Sequence, residues 1–170
     1  MGALTRATRN REWLQALRRY LGLSIVAHLA WEIAQLPLYT LWSIGTLPQQ
    51  AFAVLHCTVG DTMIAGLALL LALALCAPAT WPSSGTRRVY ALCLVLGVGY
   101  TIYSEWLNVN VRRSWAYSNL MPIVPLIGAG LAPLLQWFVI PTLALWHAVG
   151  RAPWNELKSV DGRNAAKDEH

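Results

Sequence analysis

Apolar residues run through this chain in four long blocks without period-2 alternation, at about 21–43, 52–76, 89–109 and 122–147. Each block reaches the roughly 20 residues that a helix needs to cross a hydrocarbon layer of about 30 Å. A strand reading fails, because a lipid-exposed open sheet would leave backbone N–H and C=O groups unpaired. The pattern predicts an all-α, integral membrane four-helix bundle, its spans joined by GTLPQQ, APATWPSSGTRR and NVRRSWAYSNLM. Ahead of the first span, NREWLQALRRYL places Trp13, Leu14, Leu17 and Tyr20 opposite its arginines. Residues 1–20 therefore read as a basic amphipathic segment lying in the interface, or as an extension of the first span. No small-residue cleavage site follows, so the first span is expected to be uncleaved. Residues 150–170 read as a polar tail.

Composition agrees: 56% of residues are hydrophobic and 12% charged, against roughly 25% charged in a soluble domain. Of the 21 charged residues only seven lie between positions 21 and 147: Glu32, Asp61, Arg87, Arg88, Glu105, Arg112 and Arg113. The net charge of +5 thus sits mainly at the two ends, which removes the case for a nucleic-acid partner and leaves the lipid bilayer as the expected one. Cys57, Cys76 and Cys93 fall inside spans without C-x-x-C spacing and read as packing residues. Basic residues before the first span (Arg6, Arg9, Arg11, Arg18, Arg19), in the second loop (Arg87, Arg88) and in the tail (Arg151, Lys158, Arg163, Lys167) predict cytoplasmic termini. Arg112 and Arg113 then face outward against the rule, either snorkelling to headgroups or guiding an anionic or polar group into a site. Trp42, Trp81, Trp146 and Trp154 read as an interfacial belt.

The spans are not uniformly apolar. Ser24, His28, Glu32, Gln35 and Tyr39 follow one another at steps of 4, 4, 3 and 4. They occupy an arc of about 80° on the first helix. The second span carries His56, Cys57, Thr58 and Asp61; the third groups Thr101, Ser104, Glu105 and Asn108 within about 100°. The fourth carries Gln136 and the prolines 122, 125, 133 and 141, of which Pro133 and Pro141 should bend it. GVG at 97–99 and GAG at 128–130 read as close-packing sites between helices. Counting 1.5 Å per residue from the outer ends puts Glu105 and His56 at about 5–6 Å, Gln35 and Asp61 at about 12–13 Å, Glu32 at about 16 Å, and His28 and Gln136 at about 21–23 Å. Of the carboxyl groups, Glu32 and Asp61 come nearest to one depth and are the expected interacting pair; such a pair shares a proton.

Four readings stay open. Acid/base chemistry (isomerase, hydratase or cyclase-like) on a lipophilic substrate would use Glu32, Asp61, His28, His56 and Glu105. Arg112, Arg113, Gln35, Asn108, Trp115, Tyr117 and Gln136 would then bind the substrate, Trp115 and Tyr117 capping the cavity mouth. A metal site from His56, Asp61 and Glu105 is the second, His28 being too deep to join His56. Proton, ion or solute passage is the third; four short helices would then require a homo-oligomer. A structural or assembly subunit, its polar groups only cross-linking helices, is the fourth. The residues name no cofactor.

HLAWE at 28–32, QLPLYTLW after it and GD at 60–61 resemble pieces of the emopamil-binding and sigma-2 receptor superfamily of small polytopic proteins. The resemblance covers residues 24–70. It implies a helical bundle in which a His and acidic residues shift a double bond, as in sterol isomerases, and it points to His28, Glu32 and Asp61. The Ala- and Leu-rich spans with short loops also look like those of small bacterial proteins of the cytoplasmic (inner) membrane.

Overall fold

The computed structural model describes the backbone of residues 2–150 and the side chains of residues 10–150; the expected polar tail and its basic residues lie outside the described residues. The long elements are all helices: α1 Gly2–Gln35, α2 Leu47–Cys76, α3 Thr86–Glu105 and α4 Leu131–Val149. Four stretches, Asn10–Leu38, Leu47–Cys76, Thr86–Val111 and Leu131–Val149, are long and apolar enough to cross a membrane. α1 packs on α2 and α4, and α3 packs on the same two, so the helices close into a ring. The C-termini of α1 and α3 and the N-termini of α2 and α4 share one end of this ring.

The other end is the core. Ala16 and Tyr20 of α1, Ala65, Ala68, Leu69 and Ala72 of α2, Val89 and Cys93 of α3, and Ala144, Leu145 and Ala148 of α4 are buried together. Small side chains there let the helix backbones approach one another closely. Gly97 extends this close packing upward. A Cβ at Gly97 would lie 2.1 Å from the Trp137 ring, so only glycine admits that indole.

Several expectations are corrected. Residues 2–20 form no separate interfacial helix; they continue into α1, because no proline interrupts the chain before Pro37. Pro37 then ends the helix: α1 stops at Gln35, and a 3-10 turn (Leu36–Leu38) and a one-turn helix (Leu41–Ile44) lead to α2. Gln50 Nε2 donates to the carbonyls of Trp42 and Gly45, closing that turn. Thr46 N–H donates to Gln49 Oε1, and Pro48 sits in the first turn of α2 where its missing N–H costs nothing. The fourth helix begins at Leu131, nine residues later than the apolar block, because Pro122, Pro125 and Gly128, at φ +66°, keep 122–130 out of helix. Pro133 accordingly stands in the first turn of α4, and only Pro141 is interior. GAG at 128–130 lies in this irregular segment and not between helices. Trp81 is buried edge-on against Trp13 instead of joining a belt, whereas Trp42 and Trp146 are exposed; Trp154 is outside the described residues.

Candidate functional site

The polar stripe of α1 faces inward, as its spacing requires: Ser24, His28, Glu32 and Gln35 are all buried. At the end of the ring where α1 finishes and α4 begins, the four helices part around a cavity of about 300 Å³. α1 contributes Glu32 and Gln35, α2 contributes His56, Cys57, Gly60 and Asp61, α3 contributes Tyr100, Thr101, Ser104 and Glu105, and α4 contributes Pro133, Gln136 and Trp137. Tyr39, Asn108, Arg112 and Trp115 line it from the connecting segments.

Gln136 is the hub of the floor. Its Nε2 lies 3.1 Å from Glu32 Oε1, 3.0 Å from Asp61 Oδ2 and 2.8 Å from His28 Nδ1. Gln35 Nε2 donates to the same Glu32 oxygen at 2.7 Å. Glu32 and Asp61 thus stand side by side, both within hydrogen-bond reach of one amide nitrogen. That nitrogen has only two hydrogens for its three neighbours. His28 Nδ1, 3.7 Å from Asp61 Oδ2, is close enough to enter the same exchange. The network is therefore one in which the carriers of the protons can change while the heavy atoms stay fixed. Asp61 keeps 19% of its side chain exposed, on the cavity side, while His28 is fully buried behind Gln136 against Trp137, ring centroids 5.8 Å apart. His28 thus reaches the cavity only through its neighbours.

The upper wall is built by loop three. Glu105 is buried and accepts a hydrogen bond from the Tyr117 hydroxyl, whose oxygen accepts the Gly130 N–H at 2.9 Å. Burial raises the Tyr117 phenol well above its ordinary range, and the adjacent Glu105 carboxyl adds to the rise, so Tyr117 remains an O–H donor. Trp115 Nε1 is buried on this wall and has no hydrogen-bond partner. The loop is pinned on its far side by a short antiparallel bridge at Tyr39 and Tyr117, through Thr40 N–H to Ala116 O (2.9 Å) and Ser118 N–H to Leu38 O (2.9 Å). After α3 the backbone widens into a π turn over Trp106–Val111, which carries Asn108 and, just beyond, Arg112 to the cavity mouth.

The structure therefore brings Glu32, Asp61, Gln35 and Gln136 into one hydrogen-bonded cluster and Glu105, Asn108, Arg112 and Trp115 onto the same cavity. His56 stands exposed at the rim, stacked on Phe52 at 5.6 Å. Arg113, exposed at φ +53°, does not line the cavity, and Tyr117 acts behind the wall through Glu105. Among the described residues no three His, Cys, Asp or Glu side chains are grouped to hold a metal ion, so the His56, Asp61 and Glu105 set is not assembled. Trp137 and Tyr100 escaped the sequence reading, and Gly60 entered it only as part of GD at 60–61, with no place in the site. Gly60 and Cys57 share the i, i+3/i+4 stripe of Asp61, the one signal that marks them. No known family model, curated protein or solved structure matches the chain.

Proposed function

We propose that this chain is an integral protein of a bacterial inner membrane, both termini cytoplasmic, and that its cavity carries out acid/base chemistry on a lipophilic substrate. The observation that carries this reading is the Glu32–Asp61 pair, held side by side by Gln136 on the floor of a cavity. Ionisable groups in a membrane span are costly enough to need a partner or a task. The pair holds one proton for two carboxyls. One carboxyl donates it to one end of a substrate double bond while the other accepts a proton from the carbon beyond the other end, so the double bond moves by one carbon. With an alcohol the proton goes instead to the hydroxyl, which leaves as water while the adjacent carbon gives up its proton. In either case the pair ends with one proton. Gln35 and Gln136 position the carboxyls, His28 sets the proton balance through Gln136, and Arg112 meets a polar end of the substrate at the mouth.

The shape of the cavity favours a pocket over a conduit. Below His28 and Trp137 the ring closes on a core of Ala, Leu and Val with Ser24, Tyr20 and Cys93 packed into it, so the cavity and its carboxyl groups stop halfway. A proton or ion pathway would need to continue through it.

The test follows the proton. The protein in nanodiscs is incubated in D2O with an isoprenoid and lipid extract, and deuterium incorporated into lipid carbon is read by mass spectrometry. Wild type is expected to label at least one lipid species, and Glu32→Gln and Asp61→Asn are expected to lose the labelling about 100-fold or more with helical circular dichroism unchanged. Equal labelling by the variants, or none by wild type, refutes the reading. Unfolding of both variants would assign the pair a structural role.

A further inference from the structure

We infer that the cavity takes a long-chain alcohol from within the bilayer, through a lateral opening between the outer halves of α2 and α3, with its hydroxyl inside the cavity and its chain left among the lipids. This rests on the membrane reading above. The cavity's walls are unequal. The residues that α1 and α4 give it, Glu32, Gln35, Gln136 and Trp137, are buried, which closes those sides. The residues that α2 and α3 give it include His56, which is exposed, and Tyr100, 47% exposed, each facing the cavity and the outside at once. The edge between these two helices is thus where inside and outside meet.

Size and polarity define the occupant. A volume of about 300 Å³ is at the lower limit for ligand pockets. It holds a head and the first carbons of a chain, and the rest must lie outside, where the lateral edge leads. Two buried polar atoms of cavity-lining side chains have no hydrogen-bond partner: an acceptor, Gln35 Oε1, and a donor, Trp115 Nε1. Gln35 is more than nine-tenths buried, so its acceptor cannot be served from bulk water. An alcohol is both donor and acceptor, an ammonium only a donor, and a carboxylate only an acceptor that would also face three carboxyl side chains.

Gly60 gives access to the route. It lines the cavity on α2, and a Cβ there would meet no atom within 4 Å. Gly60→Phe therefore starts its side chain without a clash at Cβ and puts bulk on the α2 wall of the cavity, and replacing a mid-helix glycine does not weaken the helix. Binding is measured with the protein in nanodiscs, using a photoreactive C16 alcohol and amine and carboxylic acid probes of equal chain length. Wild type is expected to crosslink the alcohol at least tenfold more than either charged probe. Gly60→Phe should lose that crosslinking about tenfold with an unchanged melting temperature. Gly60→Ala, which leaves the opening free, should keep it. Preference for the amine or the acid overturns the head-group assignment; full crosslinking in Gly60→Phe overturns the lateral route. Loss of alcohol binding in Gly60→Phe alongside undiminished deuterium labelling would overturn the link between this ligand and the chemistry, leaving the acid/base reading intact.

Discussion

One amide side chain organises the floor of the cavity. Gln136 is 1% exposed and serves Glu32, Asp61 and His28 from a single nitrogen. Gln136→Leu keeps the volume and removes the donor, leaving two carboxyls and an imidazole to each other. Buried polar groups stripped of a partner cost about 1–3 kcal/mol, more when charged. The variant should lose about 2–4 kcal/mol in denaturant unfolding in micelles, whereas a loss below about 0.5 kcal/mol would show that the carboxyl pair does not depend on Gln136. The α1 half of this cluster was legible in the sequence, because five polar residues within an 80° arc must face one way. Gln136 was legible as polar but not in depth. Counted from Pro122 it lies nine residues too deep, since the apolar block conceals where α4 begins. Apolar residues that do not form helix are invisible to hydropathy.

That hidden boundary belongs to the segment from Ser114 to Gly130, which is neither helix nor free loop. Its prolines read as part of the fourth span; in the structure Pro122 and Pro125 keep the segment out of helix, and it forms a lid that reaches the cavity through Trp115. The lid is fixed by contacts far apart in sequence, the Tyr39–Tyr117 bridge and the Tyr117 link between Glu105 and Gly130. No local pattern encodes such contacts, which is why Tyr117 read as a substrate ligand and not as a latch. Tyr117→Phe removes both hydroxyl bonds and keeps the ring against Tyr39, centroids 5.7 Å apart. At about 1 kcal/mol per bond, amides across 114–130 should exchange roughly tenfold or more faster, while amides of α2 and the inner half of α4 keep their protection. Unchanged exchange over the segment would mean that the backbone bridge alone holds the lid.

On the scale of the molecule the bundle divides its two tasks between its ends. Alanines and Gly97 bring the helices together at one end and supply the packing; at the other the helices separate, and polar groups that destabilise a lipid-embedded fold are gathered around one opening. Charge follows the same division. Arg11, Arg18, Arg19, Arg87 and Arg88 lie toward the packed end, Arg112 and Arg113 at the open one. Basic residues in short loops stay on the cytoplasmic side, and five against two favours the packed end inward. On the orientation proposed above, the cavity would open toward the outer leaflet and draw on that pool of lipid. Cysteine labelling reads this directly. With Cys57, Cys76 and Cys93 replaced by Ala, a thiol is placed at exposed Ser83 or exposed Asn119, on the connections at opposite ends. A membrane-impermeant maleimide applied to intact spheroplasts should label Asn119→Cys at once and Ser83→Cys only after permeabilisation. The reverse pattern would turn the cavity to the cytoplasm and make Arg112 and Arg113 the topological signal. Labelling of both sites without permeabilisation would contradict a chain that crosses the bilayer between them.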